Sequence, residues 1–488
     1  MNTTSTNPSS PQEQVTEQAS ARRLARRFDL LILGAGPAGM SAAIRARKAG
    51  LSVLVVDDQP AAGGQIWRAV EKVADTSTGK LLGDEYRSGA KLAEAFHQSG
   101  AVFEPDTQVW QIEPGWNVYM SRQQVAERVS ATAVILATGA QERPAPFPGW
   151  TLPGVMTVGA AQILLKTADQ IPDQPVWVAG SGPLPLLYMV QLLRAGGKIA
   201  GWLDTTPARA MQRGLPHVMR ALPAWRDLLK GNSWMRELKR AGFPIIRGAD
   251  RFSVSGEVRV EHLTYTTADG AQHTVPAQLV LVHEGVVPSI HMTQAIGCKH
   301  VWREAQACLV PALDAWGETS EPGLFVAGDG SGIGGARAAC IRGELAAVGV
   351  ALKAGKLDQK GADEAAQVLA PQLARELATR PLLDAMYPPR ASAFNPSDDT
   401  VVCRCEELTA GDIRKAAAIG RPGPNQIKSF TRAGMGPCQG RQCGYTIAHI
   451  VAQVQNRPVA EVGFYRIRPP LKPLTLGELA TLAVEGDK

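Results

Sequence analysis

The sequence DLLILGAGPAGMSAAIRARKAGLSVLVVDD, residues 29–58, decides the fold of this 488-residue chain. An apolar strand ends in Gly34-x-Gly36-x-x-Gly39, a segment of helical composition follows, and a second apolar strand ends at Asp57 and Asp58. A glycine fingerprint between a strand and a helix, with an acid about 20 residues further on, is typical of a dinucleotide-binding βαβ unit. The sequence therefore predicts such a unit here.

A second copy of the pattern, PVWVAGSGPLPLLYMVQLLRAGGKIAGWLD, lies at residues 175–204. In both copies the acid follows the first glycine by 24 residues, so the two units are of the same kind. Two βαβ units at this distance predict an α/β protein with two Rossmann-like domains, the second inserted into the first. We expect residues 28–150 and 286–355 to form the first domain and residues 151–285 the second.

Each glycine of the first fingerprint has a separate task. Gly34 permits a tight turn, Gly36 lets a pyrophosphate approach the backbone, and Gly39 lets the helix pack closely on the strand. The helix opens at Pro37 and Ala38, where free amides and the helix dipole favour phosphate.

The acid at the end of the second strand accepts a hydrogen bond from an adenosine ribose hydroxyl in units of this kind. Asp58 is the residue expected in this position. Asp57, one residue earlier, is a rival for it.

Three further segments point to flavin: Gly63-Gly64-Gln65, Thr138-Gly139, and Gly328-Asp329 followed by the run Gly332–Gly335. With the fingerprint they resemble the two-dinucleotide-domain flavoproteins related to glutathione reductase and thioredoxin reductase, over about residues 28–355. The resemblance implies bound FAD. It places Asp329 on a ribityl hydroxyl, a helix opening near Gly334 at the flavin pyrimidine edge, and the Val109 backbone beside adenine.

The second fingerprint departs from the pattern, because Pro185 stands where the third glycine is expected after Gly180 and Gly182. Proline fits the first turn of a helix but does not allow the close contact that glycine allows. Asp204 suits an unphosphorylated ribose, so NAD or another adenine nucleotide is one expectation. A purely structural loop is the other.

Four cysteines, Cys403, Cys405, Cys438 and Cys443, lie within a short C-terminal segment. Four thiolates suit zinc or an iron–sulfur cluster, and the C-x-C pair is unusual for zinc. The spacing and the sequence around Cys438 resemble the helical [2Fe-2S] domain of bacterioferritin-associated ferredoxin, expected here at residues 399–455. Residues 356–398 are then predicted to be a linker, residues 456–488 a C-terminal tail, and residues 1–27 a disordered tail.

Composition excludes several classes of protein. Apolar residues make up 45% and charged residues 20% of the chain, which are globular values, and no stretch is apolar for long enough to span a bilayer. The net charge of +6 is spread along the chain, so no nucleic-acid partner is expected. Seven cysteines indicate reduced thiols or metal ligands and a cytoplasmic location. No cysteine lies beside Gly63-Gly64, which excludes the usual disulfide-reductase chemistry.

The order of these parts resembles the alpha (A) subunits of opine oxidase, hydrogen cyanide synthase and hydroxyproline dehydrogenase, over about residues 28–455. The resemblance implies an electron-transfer subunit with FAD and a [2Fe-2S] cluster. Its partners would be an amino-acid-oxidase-like flavoprotein (beta) subunit that oxidises a C–N bond, a small ferredoxin-like (gamma) subunit, and a respiratory acceptor reached by peripheral contact.

Two other functions remain open from the sequence. One is a self-sufficient NADH-dependent ferredoxin or rubredoxin reductase, and the other is a structural nucleotide-binding scaffold. No catalytic residue is assigned. The scattered histidines have neither metal-site nor triad spacing.

Overall fold

A computed structural model describes residues 26–420 and 422–482 of the chain. The predicted N-terminal tail lies outside the described residues as far as residue 25. Arg26 and Arg27 already belong to the first strand, where the Arg26 guanidinium lies 2.7 Å from Glu104. Within the described ranges, no helix combines the length and apolar character needed to cross a membrane.

The first sheet has seven strands and is centred on the strand of the first fingerprint, whose residues Leu30, Leu31 and Ile32 are fully buried. Four strands pair in parallel order: Val102–Glu104, Val53–Val56, Arg26–Leu33 and the C-terminal half of Val125–Leu136, against which Leu324–Val326 also lies parallel. Asn117–Arg122 and Gln108–Glu113 continue the sheet in antiparallel direction.

Helices cover this first sheet, at Pro37–Lys48, Val70–Val73, Ser77–Leu82, Asp84–His97 and Ala336–Lys353. The first and last of them cross at very short range. A Cβ atom at Gly343 would lie 2.1 Å from the Ala38 carbonyl oxygen. Glycine at this position therefore holds the helix of the fingerprint against the helix that follows Asp329.

The second sheet has five parallel strands in the order Ile245–Arg247, Ile199–Asp204, Val176–Gly180, Val280–His283, Val155–Thr157. An antiparallel sheet of Phe252–Ser255, His262–Thr266 and Gln272–Pro276 packs beside it. The α-helices of this unit are Val158–Ala168, Pro183–Arg194, Ala210–Gly214, Val218–Ala221 and Trp225–Arg240, with 3-10 turns at Leu215–His217 and Leu222–Ala224. Both predicted βαβ units are therefore present.

The chain enters and leaves the second unit through one antiparallel pair, Ala140–Glu142 with Val286–Pro288. After the return, the first unit gains the helix His291–Ile296, the hairpin His300–Arg303 with Cys308–Pro311, and 3-10 turns at Glu304–Gln306 and Gly328–Ser331. After this pair the chain returns to the first sheet through Leu324–Val326.

Residues 356–398, expected to be a linker, are mostly helical. They form the helices Gln359–Glu376 and Arg380–Met386 and a 3-10 turn at Ala391–Phe394. The sequence favours a linker here because Pro381, Pro388, Pro389 and Pro396 interrupt the helical pattern. Pro381 nevertheless occupies the first turn of its helix, where no amide hydrogen bond is lost.

The C-terminal unit holds the short strands Val401–Cys403 and Leu408–Thr409 and the helices Ala410–Ala417, Pro424–Thr431, Gly444–Val454, Val459–Val462 and Leu476–Ala480. The segment predicted as a C-terminal tail packs on the first sheet as far as it is described. The Leu471 amide donates to the Trp110 carbonyl at 2.8 Å, and the Ala126 amide donates to the Thr481 hydroxyl at 2.7 Å.

Candidate functional site

A cleft of about 2050 Å³ lies where the two Rossmann-like units meet. The first glycine loop contributes Gly34 and Gly36 to its wall, and the second unit contributes Pro183 and Leu184 at the start of its helix, at the carboxyl ends of parallel strands. The wall includes Gly34, Gly36, Thr138, Gly139 and Asp329 from the first unit. Ligand-binding residues that are far apart in the sequence therefore face one space.

The glycines of the first loop differ in what they tolerate. A Cβ atom at Gly34, whose φ is +106°, would lie 2.4 Å from the Ala137 carbonyl oxygen, and one at Gly39 would lie 1.8 Å from the Gly34 carbonyl oxygen. A Cβ atom at Gly36 meets only the Gly64 Cα, at 3.7 Å. Gly34 and Gly39 are thus needed by the protein itself, whereas Gly36 faces the cleft.

The two acids at the end of the second strand point in different directions. Asp57 is buried, and its Oδ2 accepts from the Ala35 amide at 2.6 Å while Oδ1 accepts from the Gln59 amide at 2.9 Å. Burial raises the pKa of Asp57. The Asp58 carboxylate is partly exposed and accepts from Lys472 Nζ at 2.7 Å.

Although burial opposes it, hydrogen bonds from Lys472 and Gln59 lower the pKa of Asp58 overall. Both acids line the cleft. Asp57 contacts the glycine loop, however, and Asp58 faces the C-terminal segment.

The segments that resemble flavin-binding motifs meet at the centre of the cleft. The Thr138 hydroxyl donates to the Ser289 carbonyl at 3.2 Å, which ties this turn to the returning chain. Asp329 Oδ1 accepts from the Gly334 amide at 2.8 Å and from the Gly335 amide at 3.0 Å. The helix begins at Ala336, two residues later than expected, so Asp329 holds the loop that opens it.

The other predicted residues of this region are distributed around the same site. Val109 and Gly64 line the cleft, and Gly63, with φ of +127°, turns the chain beneath Gly64. Gly328 packs against the helix Pro37–Lys48, since a Cβ atom at Gly328 would lie 2.8 Å from Ala38 Cβ.

Two cleft residues were missed by the sequence analysis. Lys166 Nζ donates to the carbonyls of Gln65 and Ile66 at 3.2 and 3.0 Å, and burial lowers its pKa to about 7. His291 is partly buried, its Nε2 atom has no hydrogen-bond partner in the described structure, and desolvation lowers its pKa to about 3. Lys166 could have been noticed from the sequence, because it is a lysine on the apolar face of the helix Val158–Ala168. Nothing in the sequence around His291 indicates that it lines the cleft.

The second fingerprint has the same turn but a different surface. A Cβ atom at Gly180 would lie 2.4 Å from the His283 carbonyl oxygen, which matches the relation of Gly34 to Ala137. Gly182, however, is buried whereas Gly36 is partly exposed, and Tyr387 lies in van der Waals contact with the position of a Cβ atom at Gly182, at 3.9 Å. Asp204 is buried and accepts from the Thr206 amide at 3.1 Å. Of these three predicted residues, none lines the cleft.

The four C-terminal cysteines form one chain of contacts. The Cys443 thiol lies within hydrogen-bonding distance of Cys403 and Cys438, and Cys438 in turn contacts Cys405. Hydrogen bonding by Cys443 lowers the pKa of Cys403 to about 6 and that of Cys438 to about 5. All four are free thiols.

The loop around these cysteines is shaped to hold them. A Cβ atom at Gly436 would lie 2.3 Å from Cys405 Cβ. Tyr465 is buried beside Cys443, and its hydroxyl forms no well-aligned hydrogen bond within the described ranges. Nowhere in those ranges do three metal-binding side chains converge on a single-ion site.

The cysteine loop also forms part of the cleft wall. Arg441 and Gln442, which lie between Cys438 and Cys443 in the sequence, line the cleft, and Gln141 Nε2 donates to the Arg441 carbonyl at 3.3 Å. The cysteine loop and the glycine loop therefore both contribute residues to the wall of one cleft.

Family models match most of the chain. Residues 28–355 match the pyridine nucleotide-disulphide oxidoreductase family, and residues 398–482 match the sarcosine oxidase A3 domain. The second match extends beyond residue 455, where the cysteine domain was expected to end. This agrees with the packed C-terminal segment.

Two curated proteins are similar over nearly their whole length. The A subunit of opine oxidase from Rhizobium meliloti (strain 1021) is 40% identical over 469 residues, which cover 93% of this chain and 99% of that protein. HcnB, a hydrogen cyanide synthase subunit of Pseudomonas protegens, is 31% identical over 456 residues, covering 91% and 96%.

A solved structure shares the fold. L-proline dehydrogenase from P. horikoshii superposes with a TM-score of 0.68 at 20% identity, over 94% of this chain and 81% of that one. The fold and the family named from the sequence are thus confirmed, and the chain is a flavin-dependent oxidoreductase. It belongs to the family that includes the A subunit of opine oxidase and the HcnB subunit of hydrogen cyanide synthase.

Proposed function

We propose that this chain is the electron-transfer subunit of a heteromeric dehydrogenase that oxidises the C–N bond of an amino acid or opine. It would carry FAD in the first Rossmann-like unit and a [2Fe-2S] cluster on the four C-terminal cysteines. Electrons from a partner flavoprotein would leave through this chain towards a respiratory acceptor.

The observation that carries the proposal is the shared cleft. Gly36 and Asp329 lie on its wall together with Arg441 and Gln442 of the cysteine loop. A flavin exchanges electrons in pairs or singly, and an iron–sulfur cluster exchanges them singly, so adjacent sites for the two allow a relay. A nucleotide scaffold without redox function has no need of this adjacency.

The first unit fits FAD on its own residues. The space above Gly36 is open, and the helix N-terminus at Pro37 supplies positive potential for a pyrophosphate. Asp57, held against the loop through the Ala35 amide, is the acid we assign to the ribose, with Asp58 at the rim as the weaker choice. Asp329 Oδ2 has no hydrogen bond among the described residues and is free for a ribityl hydroxyl.

Lys166 and His291 would shape the polarity around the flavin. Lys166 holds the Gln65 and Ile66 carbonyls in place, and its lowered pKa leaves much of it uncharged near neutral pH. The His291 imidazole stays neutral at physiological pH and can accept or donate one hydrogen bond. We assign both residues to orienting the bound cofactor.

The cysteine loop fits a [2Fe-2S] cluster better than zinc. In such a cluster each iron takes two protein thiolates, so convergence of three side chains on one ion is not required. The four thiols meet as a chain of neighbours, and the buried Tyr465 hydroxyl beside Cys443 is left without a well-formed hydrogen bond. A cluster sulfur would supply its acceptor.

The alternative of an NADH-driven reductase is disfavoured by the second fingerprint. Gly182 is buried in contact with Tyr387, and Asp204 is buried away from the cleft. A dinucleotide at this loop would require the segment around Tyr387 to move. We therefore assign the second loop a structural role.

The proposal is tested by the anaerobic absorbance spectrum and by the iron and acid-labile sulfide content of the purified chain, followed by addition of NADH. Flavin and cluster bands, with two irons per chain, that NADH leaves oxidised would support it. Rapid bleaching by NADH would make the chain a reductase instead. A colourless protein would make it a scaffold.

A further inference from the structure

The outer surface of residues 209–230, here called the 209–230 surface, exposes large apolar side chains. Met211, Leu215 and Met219 are 74%, 71% and 76% exposed, and Leu222, Trp225 and Leu229 are about half exposed. Monomeric soluble proteins seldom expose contiguous apolar surface of this kind unless it binds something.

Cations are interleaved with these apolar side chains. The segment carries Arg209, Arg213, Arg220, Arg226 and Lys230. Its single acid, Asp227, accepts a hydrogen bond from Arg337 at 2.8 Å and is therefore already neutralised. The 209–230 surface is strongly positive as well as apolar.

This surface lies at the mouth of the cleft. Met211, Asp227 and Lys230 line the cleft, and Lys230 Nζ lies 2.5 Å from the Glu85 carboxylate of the first unit. A molecule bound to the 209–230 surface would therefore sit over the entrance of the space in which we place the flavin.

We propose that the 209–230 surface docks the amino-acid-oxidising subunit, through an apolar face edged with carboxylates. This inference rests on the proposed function. Met, Trp and Arg are residue types enriched at the cores of protein interfaces, where acids are depleted, and the segment carries four arginines, two methionines and Trp225. Docking at the mouth brings the electron donor to the cofactor cleft.

Charge argues against a second copy of this chain as the occupant. A two-fold contact would place the same arginines opposite one another, and like charges across an interface cost affinity. The segment is also broken by Pro216 and Pro223 into short helices and turns. A membrane-lying helix keeps separate apolar and basic faces along a continuous axis, which this segment lacks.

The test measures binding of the full-length chain, with cofactors, to the purified amino-acid-oxidising subunit by isothermal titration calorimetry. Met219→Glu puts a carboxylate in the middle of the surface. Val258→Glu is the matched control, because Val258 is 75% exposed in the same unit but outside the surface. Flavin absorbance and melting temperature show whether each variant is folded.

We expect Met219→Glu to weaken binding by roughly 30-fold or more, as loss of an interface hot spot does, and Val258→Glu to leave it unchanged. Arg213→Glu with Arg220→Glu should weaken it further and reduce its sensitivity to salt. Equal affinity of wild type and Met219→Glu would overturn the inference.

Two other results would replace the proposed occupant. Dimerisation of the wild-type chain in sedimentation, lost in Met219→Glu, would identify a second copy. Binding to vesicles with anionic phosphatidylglycerol, lost in Met219→Glu while binding of the oxidising subunit persists, would identify a membrane. If the wild-type chain does not bind the amino-acid-oxidising subunit, the proposed function fails rather than the choice of surface.

Discussion

At the scale of single residues, the glycines of the first loop separate binding from folding. A side chain at Gly36 would point into the open cleft, whereas a Cβ atom at Gly39 would lie 1.8 Å from the Gly34 carbonyl oxygen. Gly36→Val should therefore fold with a melting temperature near that of wild type but without FAD, since its methyl groups occupy the pyrophosphate position. Gly39→Ala should lose about 1–3 kcal/mol of stability from overpacking.

Flavin absorbance after gel filtration and thermal unfolding of the FAD-free protein distinguish the two effects. Gly50→Ala offers a control, because its Cβ would meet no atom within 4 Å and only its positive φ is strained. FAD retained at the wild-type level in Gly36→Val would remove this loop from the binding site.

Lys166 predicts a pH dependence of stability. Its pKa is lowered from 10.5 to about 7 by burial, so between these values the unfolded chain binds a proton that the folded chain does not. Stability from this residue therefore rises with pH from about 7 to about 10.5, by about 1.4 kcal/mol per pH unit, and its cost is greatest below pH 7.

Lys166→Met should remove that slope. Urea unfolding of both proteins at pH 7.5, 8.5 and 9.5 measures how the free energy of unfolding depends on pH, and the wild-type slope should exceed that of the variant. Parallel dependence on pH in the two proteins would show that the buried amine does not titrate in this range. Lys198→Met, at an exposed lysine of the second unit, controls for the loss of a cation.

How far the sequence predicts the site depends on how local each feature is. The fingerprint glycines and the four cysteines are recognised because their spacing along the chain already fits their chemistry. Asp57 and Asp58 are adjacent, and only the fold decides that Asp57 reaches the Ala35 amide while Asp58 reaches Lys472, more than 400 residues away. The packing of Tyr387 on Gly182 is likewise a long-range contact without a local signal.

At the scale of elements, the helices and turn of residues 359–394 join the second unit to the rest of the chain. Arg390 and Glu284 form an ion pair in which both side chains are almost fully buried, and the Arg390 guanidinium lies 4.2 Å from the Phe252 ring centre. Periodicity missed these helices because prolines such as Pro381 resemble helix breaks. Tertiary contacts such as this pair support them instead.

Breaking the pair should release this segment. Arg390→Ala leaves Glu284 buried without its cation, which costs about 3–5 kcal/mol, whereas Arg390→Met with Glu284→Met should cost much less. Thermal unfolding of the two variants measures the difference. Arg194→Ala is the control for an exposed ion pair, with Glu237, and should cost under about 1 kcal/mol.

If the double variant is as unstable as Arg390→Ala, the loss reflects packing on Phe252 rather than the unpaired acid. Limited proteolysis within residues 380–394 would then show whether the segment detaches. Any detachment also uncovers Gly182, so NADH titration of the same variant examines whether Tyr387 alone closes the second loop.

At the scale of the whole molecule, three units meet at one cleft, and several of the contacts that hold the C-terminal unit lie outside the cysteine loop. The C-terminal unit is fixed by the Trp150 indole, which donates to the Val401 carbonyl at 2.7 Å, and by the Leu471 and Lys472 contacts with the first sheet. The cofactors should accordingly be separable, even though the electron path that we propose requires both.

Cys443→Ser should therefore lose the cluster absorbance and keep flavin at about one per chain. Its reduced flavin should then pass electrons to cytochrome c, a one-electron acceptor, more slowly than wild type does, while a two-electron dye is reduced at a similar rate. Stopped-flow absorbance measures both rates. Cys340→Ser, at a thiol outside the cysteine group, should behave as wild type. Loss of flavin together with the cluster would mean that the units depend on each other for folding, and unchanged cytochrome c reduction would mean that electrons leave the flavin directly.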